Sequence, residues 1–476
     1  EGMRLKASNG RQYPAIKVFA HSLRYLGDHL KQRVARSQEG VVPEDSILWV
    51  ITVPAIWSDA AKQFMRKAAY KAGLASEEAP ERLRIALEPE AASIFCVDLG
   101  MDRKALSPNP TGISVGTKYM VVDCGGGTVD ITAQEMIEGR YISELHQPTG
   151  GPWGGDRVNE RFAALFDRIF GNEIMDEYKE SYPMEWNEML RDFELKKRGT
   201  AKGIIMNSRY NLPNMIRAKL GREIGDVIAD SGVEDIRFNI GMIVMEPPLV
   251  ERLFGPVIEK VVNHLKILLR RPKLSDITHM ILVGGFSEAE LLQRRFKEEF
   301  ECENMHVVVN EEAGLFVVKG AVEFGFSPDR VQARVPAVTY GVRTAVEFDE
   351  SKHPLWKRVL IGDRYMFEDN FVQFVAAGTP VKLREKKFHP PFKAIHDDQT
   401  FATVYLYSTK QSGARFTTDK GMSLCGEVKV DMPDTVGGKE REIDVHFTFG
   451  GTEIEVEAVD ITSGKRNKTS IDFHVR

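Results

Sequence analysis

Val121-Val-Asp-Cys-Gly-Gly-Gly-Thr-Val-Asp-Ile131 is the stretch on which the reading of the fold turns. An apolar run ends at Asp123, the chain turns through Gly125, Gly126 and Gly127, and strand character resumes after Thr128. Glycines carry no Cβ, so their amides can come close to an anion and point at it. Thr128 adds a hydroxyl, and Asp123 and Asp130 flank the turn, where carboxylates can hold a metal ion through water. The P-loop pattern is excluded, because no Gly-Lys-Ser/Thr follows and the loop leads into a strand. A plain glycine hairpin with surface aspartates fits the same residues.

Outward from this loop, up to about Asp329, strand-like apolar runs alternate with amphipathic helical runs, which argues for an α/β region. Ser46 to Val53 reads as a buried strand ending at Pro54. A helix is expected from Asp59 to Ala72, with Ser58 or Asp59 accepting from its first amides and Gly73 as the stop. A second, from Asp156 to Phe170, turns Val158, Phe162, Leu165, Phe166 and Ile169 inward. Residues 199–248 show no clean period. Beyond Pro336 the helical period fades. The runs 401–407, 426–431 and 452–458 alternate apolar and polar residues, and Gly437-Gly438 and Ser463-Gly464 separate them. That texture predicts an antiparallel β-sandwich over 336–476, after an α/β domain over 1–328.

Three further constellations accompany the loop. In Ile281-Leu-Val-Gly-Gly-Phe-Ser-Glu288 a strand runs through Gly284 and Gly285 into a helix expected over 288–300, a junction that admits a ribose or phosphate. In Leu87-Glu-Pro-Glu-Ala-Ala92, Glu88 stands at a helix start, where the dipole favours a carboxylate with or without chemistry. Thr149-Gly-Gly-Pro-Trp-Gly-Gly-Asp156 is a second glycine-rich loop leading into a helix.

In order and spacing these motifs resemble the 70-kDa heat-shock protein family. Val53-Pro-Ala55, Asp59-Ala60, Ala72-Gly-Leu74 and Glu88-Pro89 resemble its first connecting segment. Asp123 to Asp130 is similar to its second phosphate loop, and Leu282 to Ser287 to its adenosine loop. Glu194, Lys197 and Arg198 resemble a helix segment that closes on the nucleoside, and Lys319-Gly-Ala-Val322 the second connecting helix. Ala458 to Lys468 is similar to the last strands of its peptide-binding sandwich. Finer details, such as Ile51-Thr-Val-Pro-Ala-Ile-Trp57, look most like the divergent 12A/12B group.

The resemblance implies an actin-like, two-lobed ATPase domain followed by an all-β sandwich, with ATP or ADP and Mg²⁺ between the lobes. Gly125, Gly126, Gly127 and Thr128 would cradle phosphates, with Asp130, Gly154 and Gly155 beside them. Asp123 would hold Mg²⁺ through water, and Glu88 would orient metal-bound or attacking water, so that Glu88, Asp123 and Thr128 form the expected catalytic set. Glu194, Lys197 and Arg198 would face the nucleoside from one side, and Gly284, Gly285, Phe286 and Glu288 from the other. The implied function is that of an ATP-binding, chaperone-like stress-response protein with protein clients or a regulatory protein partner. A nucleotide-gated scaffold is the alternative. An actin-fold sugar or acetate kinase is disfavoured by the C-terminal strands.

Departures shape further expectations. Nothing in residues 1–52 matches the family's opening hairpin or its assisting lysine, so the first lobe is expected to be incomplete and hydrolysis slow or absent. Glu288 stands where the family places an arginine that stacks on adenine, and a carboxylate cannot make that contact. On that reading Glu288→Arg should tighten ADP binding. Val331-Gln-Ala-Arg-Val335 lacks the family's acidic, leucine-rich linker.

Composition sets outer bounds. The 476 residues are 42% hydrophobic and 28% charged, with a net charge of −5, which is ordinary globular composition without the basic excess a nucleic acid requires. Arg384, Lys386 and Lys387 sit beside Glu385 and read as a solvated loop. Cys96, Cys124, Cys302 and Cys425 are too scattered for a metal or disulfide framework, which suits a reducing, cytoplasmic setting. The longest uncharged apolar stretches, such as residues 46–58, fall short of a membrane span.

Overall fold

The computed structural model describes residues 2–7, 10–37, 43–102, 113–199, 203–208, 211–310, 312–361, 364–388, 391–462, 464, 466–469 and 472–473. The chain is mixed α/β. Its largest sheet runs His306–Val309, His279–Val283, Lys118–Cys124, Val129–Ile137, Tyr141–Gly151, Val331–Arg334, Val381–Lys382. His279–Val283 lies parallel to Lys118–Cys124, which pairs antiparallel with Val129–Ile137 around the glycine turn. Side chains alternate faces along a strand, and here both faces are covered. Met120, Val122, Met280 and Leu282 join one apolar cluster with Phe162, Phe254 and Phe296. Tyr119, Val121, Ile281 and Val283 join another with Val97, Phe316 and Phe324.

On that second face, helices Glu88–Asp102 and Phe316–Phe326 meet at Gly320. A Cβ built there would lie 1.7 Å from the Ala91 carbonyl oxygen, so only glycine allows the crossing. Trp49–Val53 and Leu83–Leu87 form a separate two-stranded parallel sheet, covered by helices Ala15–Ser37 and Asp59–Ala72. The latter helix runs over the predicted residues: the Ser58 hydroxyl accepts from the Ala61 amide, and Gly73 closes it at φ +81°.

Several boundaries move for local reasons. The strand begins at Trp49 rather than Ser46, because the Ser46 amide and hydroxyl both donate to the Pro43 carbonyl and close a turn. The helix expected from Glu288 begins at Glu290, since Gly285–Glu288 is a short 3₁₀ turn in which the Ser287 hydroxyl donates to Gly284. Residues 199–248 contain helices Asn211–Leu220 and Ile224–Asp230 and a sheet of Ile204–Asn207, Met242–Met245 and Ile236–Asn239. Elements of four to ten residues are too short to display a period. Of the basic run, Arg384 stands in a turn, but Lys386 and Lys387 lie on a strand rather than in a loop: Glu385–Phe388 pairs with Glu442–Phe449, and its charges blunt a sheet edge.

From Thr339 on the described strands pair antiparallel and, apart from Val381–Lys382 in the large sheet, fall into two further sheets. Both contribute to one apolar cluster, in which Val342, Leu406 and Val428 meet Val445, Phe447 and Val456. Every second residue of Glu442–Phe449 is buried, and the strand Glu455–Asp460, which overlaps the expected run 452–458, alternates in the same way.

Candidate functional site

The turn closes through the Gly125 amide donating to the Thr128 carbonyl at 3.0 Å. Gly126 and Gly127 stand exposed at its apex. The second glycine loop is stitched against the first. The Gly155 amide donates to Gly125 O at 3.0 Å and the Asp156 amide to Gly126 O at 2.8 Å. Gly154 sits so close that a Cβ would lie 2.2 Å from Gly126 O. This pairing makes one surface of two motifs.

Asp123 and Asp130 are directly opposite in register on the hairpin, both buried. Like charges across a strand pair repel, and Glu88 approaches the same face. Burial, and then the charges of Glu88 and Asp130, raise the Asp123 carboxyl well above its ordinary range. Burial, then Asp130, pushes Glu88 up to about 7. Asp130 is also raised by burial, although the Ile56 amide at 3.0 Å, the Thr128 hydroxyl and the Ala55 amide pull the other way. Among the described residues no cluster of three or more His, Cys, Asp or Glu side chains stands ready to hold a metal ion. Gly284, at φ +84°, abuts this group: a Cβ there would lie 2.3 Å from Asp123 Oδ1.

The residues expected to face a nucleoside, Glu194, Lys197, Arg198, Phe286 and Glu288, make contacts of their own beside Gly155 and Gly285. Lys197 is buried, and its Nζ donates to Gly155 O at 2.9 Å, Asn159 Oδ1 at 3.0 Å and Glu194. It braces the glycine loop. Phe286 is buried too, stacked near Phe254, and a Cβ on Gly155 would come within 3.2 Å of its ring. Arg198 donates to Glu288 Oε2 at 3.0 Å and lies about 3.6 Å from where a Gly285 Cβ would stand. Glu288 stands in the family's arginine position, and the cation beside it is Arg198.

Asn159 and Asp156 were not singled out from sequence. The Asn159 amide donates to Glu194 Oε2 at 2.7 Å, and the Asp156 carboxylate stands 3.6 Å from the Gly126 Cβ position. Their spacing of three residues at the start of the helix Asp156–Phe170 was the available signal.

A sequence profile described as "Hsp70 protein" matches residues 3–202. The chain is 33% identical to heat shock 70 kDa protein 12A of Homo sapiens, an alignment that takes in 98% of this chain and 77% of that protein. The chain belongs to the 70-kDa heat-shock protein family. It is 32% identical to heat shock 70 kDa protein 12B of Homo sapiens over 98% of this chain and 76% of that one. Against chaperone protein DnaK of Thermotoga maritima identity is 27% over 87% of this chain and 60% of that one. Within the 70-kDa heat-shock family it is thus a divergent, 12A/12B-like member, and membership supports nucleotide binding.

The raised Glu88 carboxyl yields a stability prediction for this family member. Between the ordinary 4.5 and about 7 the folded chain keeps a proton that the unfolded chain has lost, so stability falls as pH rises across that window. Glu88→Gln mimics the protonated form. It is expected to stabilise the ligand-free protein by about 1–3 kcal/mol at pH ~8, and by little near pH ~4.5. Thermal melts of both proteins at both pH values check this; a variant no more stable than the parent at the higher pH contradicts it.

Proposed function

We propose that the chain binds ATP or ADP with Mg²⁺ at the surface formed by Gly125–Thr128, Gly154–Gly155 and Gly284–Gly285. On this reading an actin-like, two-lobed α/β domain couples nucleotide to a C-terminal β-sandwich that binds proteins. The observation that carries it is the pair of exposed glycines, Gly126 and Gly127, at the apex of a stitched turn beside three carboxylates of raised pKa. The residues fit the ligand: no atom lies within 4 Å of a Cβ position on Gly127, so a phosphate oxygen could approach the backbone there. Bound Mg²⁺ would supply charge neutralisation at the phosphates. Asp123 and Glu88 would accept hydrogen bonds from its water, and Arg198 would lie along the base.

Gly126→Val tests this directly. The new Cβ would meet only the Asp156 carboxylate at 3.6 Å, an ordinary contact, so the variant should fold. Calorimetry is expected to show ADP affinity reduced by about tenfold or more, roughly 1.4 kcal/mol. Unchanged affinity in the folded variant would refute the site.

The adenosine side carries its own prediction. Arg198→Ala should weaken ADP binding by about 0.5–2 kcal/mol. Glu288→Arg, which the sequence suggested would tighten binding, should not do so, because it would set two guanidinium groups together. Tighter ADP binding by Glu288→Arg would restore the simpler reading of that loop.

A scaffold without client refolding is the second reading. The segment Val331–Arg334 favours it, because it is built into the large sheet rather than acidic and free. A refolding assay with a denatured client, with and without ATP, separates the two. A chaperone accelerates recovery and a scaffold does not. The four unbridged cysteines suit a reducing, cytoplasmic setting, and among the described residues no helix is long and apolar enough to cross a membrane.

A further inference from the structure

Between the α/β region and the C-terminal strands lies a cavity of about 900 Å³. Trp57, Pro148 and Phe449 give it apolar walls, and Lys62, Lys410 and Glu144 line it as well. Its size falls within the ~300–1,000 Å³ of small-molecule sites, which are mostly apolar with a few placed polar groups. It shares no residue with the glycine loops Gly125–Thr128 and Gly154–Gly155 or with Gly284–Gly285.

Glu144 is the unusual group. It stands on the strand Tyr141–Gly151 and is 2% exposed. Its Oε2 accepts the Val335 amide at 2.8 Å, while its Oε1 is buried without a partner. A buried polar atom left unpaired costs about 1–3 kcal/mol. In the wall of a cavity, such an atom is a place where a ligand group or water belongs.

We propose that this cavity binds a small amphipathic organic acid, its carboxylate held by Glu144 Oε1 and Lys62 and its apolar body lying against Trp57 and Phe449. Two carboxyl groups share a hydrogen bond only when one carries a proton, and the surroundings of Glu144 meet that need. Burial and then the negative charge of Glu90 push its carboxyl up to about 8, against the Val335 amide, Arg334 and Lys62. The other charges near it are accounted for. Glu90 is in a bidentate pair with Arg334 at 2.7 Å, Lys62 stands 3.3 Å from Asp59, Glu453 of the lining is paired with Arg66, and Lys410 adds a further cation to the lining. Below that pH Oε1 can present its proton to a ligand carboxylate. Above it, two anions would face each other.

Decanoate, with decanol as its uncharged counterpart, is the probe, titrated by calorimetry into the full chain at about pH 6.5 and about pH 9.5. Decanoate is expected to bind at the lower pH, more tightly than decanol, and about tenfold or more weaker at the higher pH. Glu144→Leu should cost about the same factor. Glu144→Gln keeps a donor that cannot ionise, so it should retain binding and lose the pH dependence. Lys62→Met should weaken binding without removing that dependence, which keeps the test open should Glu144→Leu fail to fold. Circular dichroism checks each variant. No decanoate binding at either pH would overturn the proposal, leaving Oε1 to a resident water. So would decanoate binding indifferent to pH, Glu144 and Lys62. ADP titrations of the same variants distinguish this outcome from a failure of the nucleotide reading, since none of these side chains lies at the glycine loops.

Discussion

Gly154→Val is expected to abolish nucleotide binding and to lower stability by about 1–3 kcal/mol. The added Cβ would lie 2.2 Å from Gly126 O, 2.5 Å from Gly126 C and 2.7 Å from Gly125 O, all backbone atoms. Neither loop can step back cheaply, because the next two amides, of Gly155 and Asp156, are bonded to the carbonyls of Gly125 and Gly126. The substitution must therefore pull the two loops apart and turn the exposed apex away from its carboxylates. ADP calorimetry beside a thermal melt reads both effects. The comparison with Gly126→Val is informative: that change occupies the surface, whereas Gly154→Val dismantles it. A folded Gly154→Val protein that binds ADP like the parent would show that the paired loops are not the site.

The second large effect is expected at Arg334→Met, a loss of about 3–5 kcal/mol. Glu90 is fully buried and Arg334 nearly so, and the guanidinium takes both carboxylate oxygens at 2.7 Å. A third arm donates to the Gly450 carbonyl, from the C-terminal strands. Removing the cation strands a buried charge beside Glu144, which is itself raised by Glu90. The loss should be mostly that of the stranded charge, so the double variant Glu90→Leu with Arg334→Met should recover most of it. Urea midpoints of the two single variants and the double one decide the matter. A double variant as unstable as the sum of the singles would mean that the pair contributes through packing alone.

Local chemistry explains what could be read from the amino acids. The turn at Gly125–Gly127, the cap at Ser58, the stop at Gly73 and the alternation in Glu455–Asp460 each depend on a few neighbouring residues, so they are visible in any window that contains them. What escaped reading depends on partners far away in sequence. Arg198 and Glu288 are 90 residues apart, and Arg334 and Glu90 are 244 apart. Nothing in Lys197's own neighbourhood shows that its amine turns inward to Gly155 and Asn159. The resemblance to the 70-kDa heat-shock family pointed to Gly125–Thr128 and Gly154–Gly155 together, and the structure joins them by hydrogen bonds. The roles of Lys197, Phe286 and Glu288 emerged only from the packing around them.

Val331–Arg334 is hydrogen-bonded on both sides, parallel to Tyr141–Gly151 and antiparallel to Val381–Lys382. The chain thus leaves the large sheet through one of its own strands and later returns another strand to it. In hydrogen-exchange terms, the amides across 331–334 should be protected with the glycine-loop hairpin as one cooperative unit, not exchange early as a tether would. In terms of dissection, a fragment that stops short of Val331 would bare the edge of Tyr141–Gly151 and offer it to any extended chain nearby. Expressing the α/β region on its own would therefore mean carrying residues 331–334 and finding a substitute for Val381–Lys382.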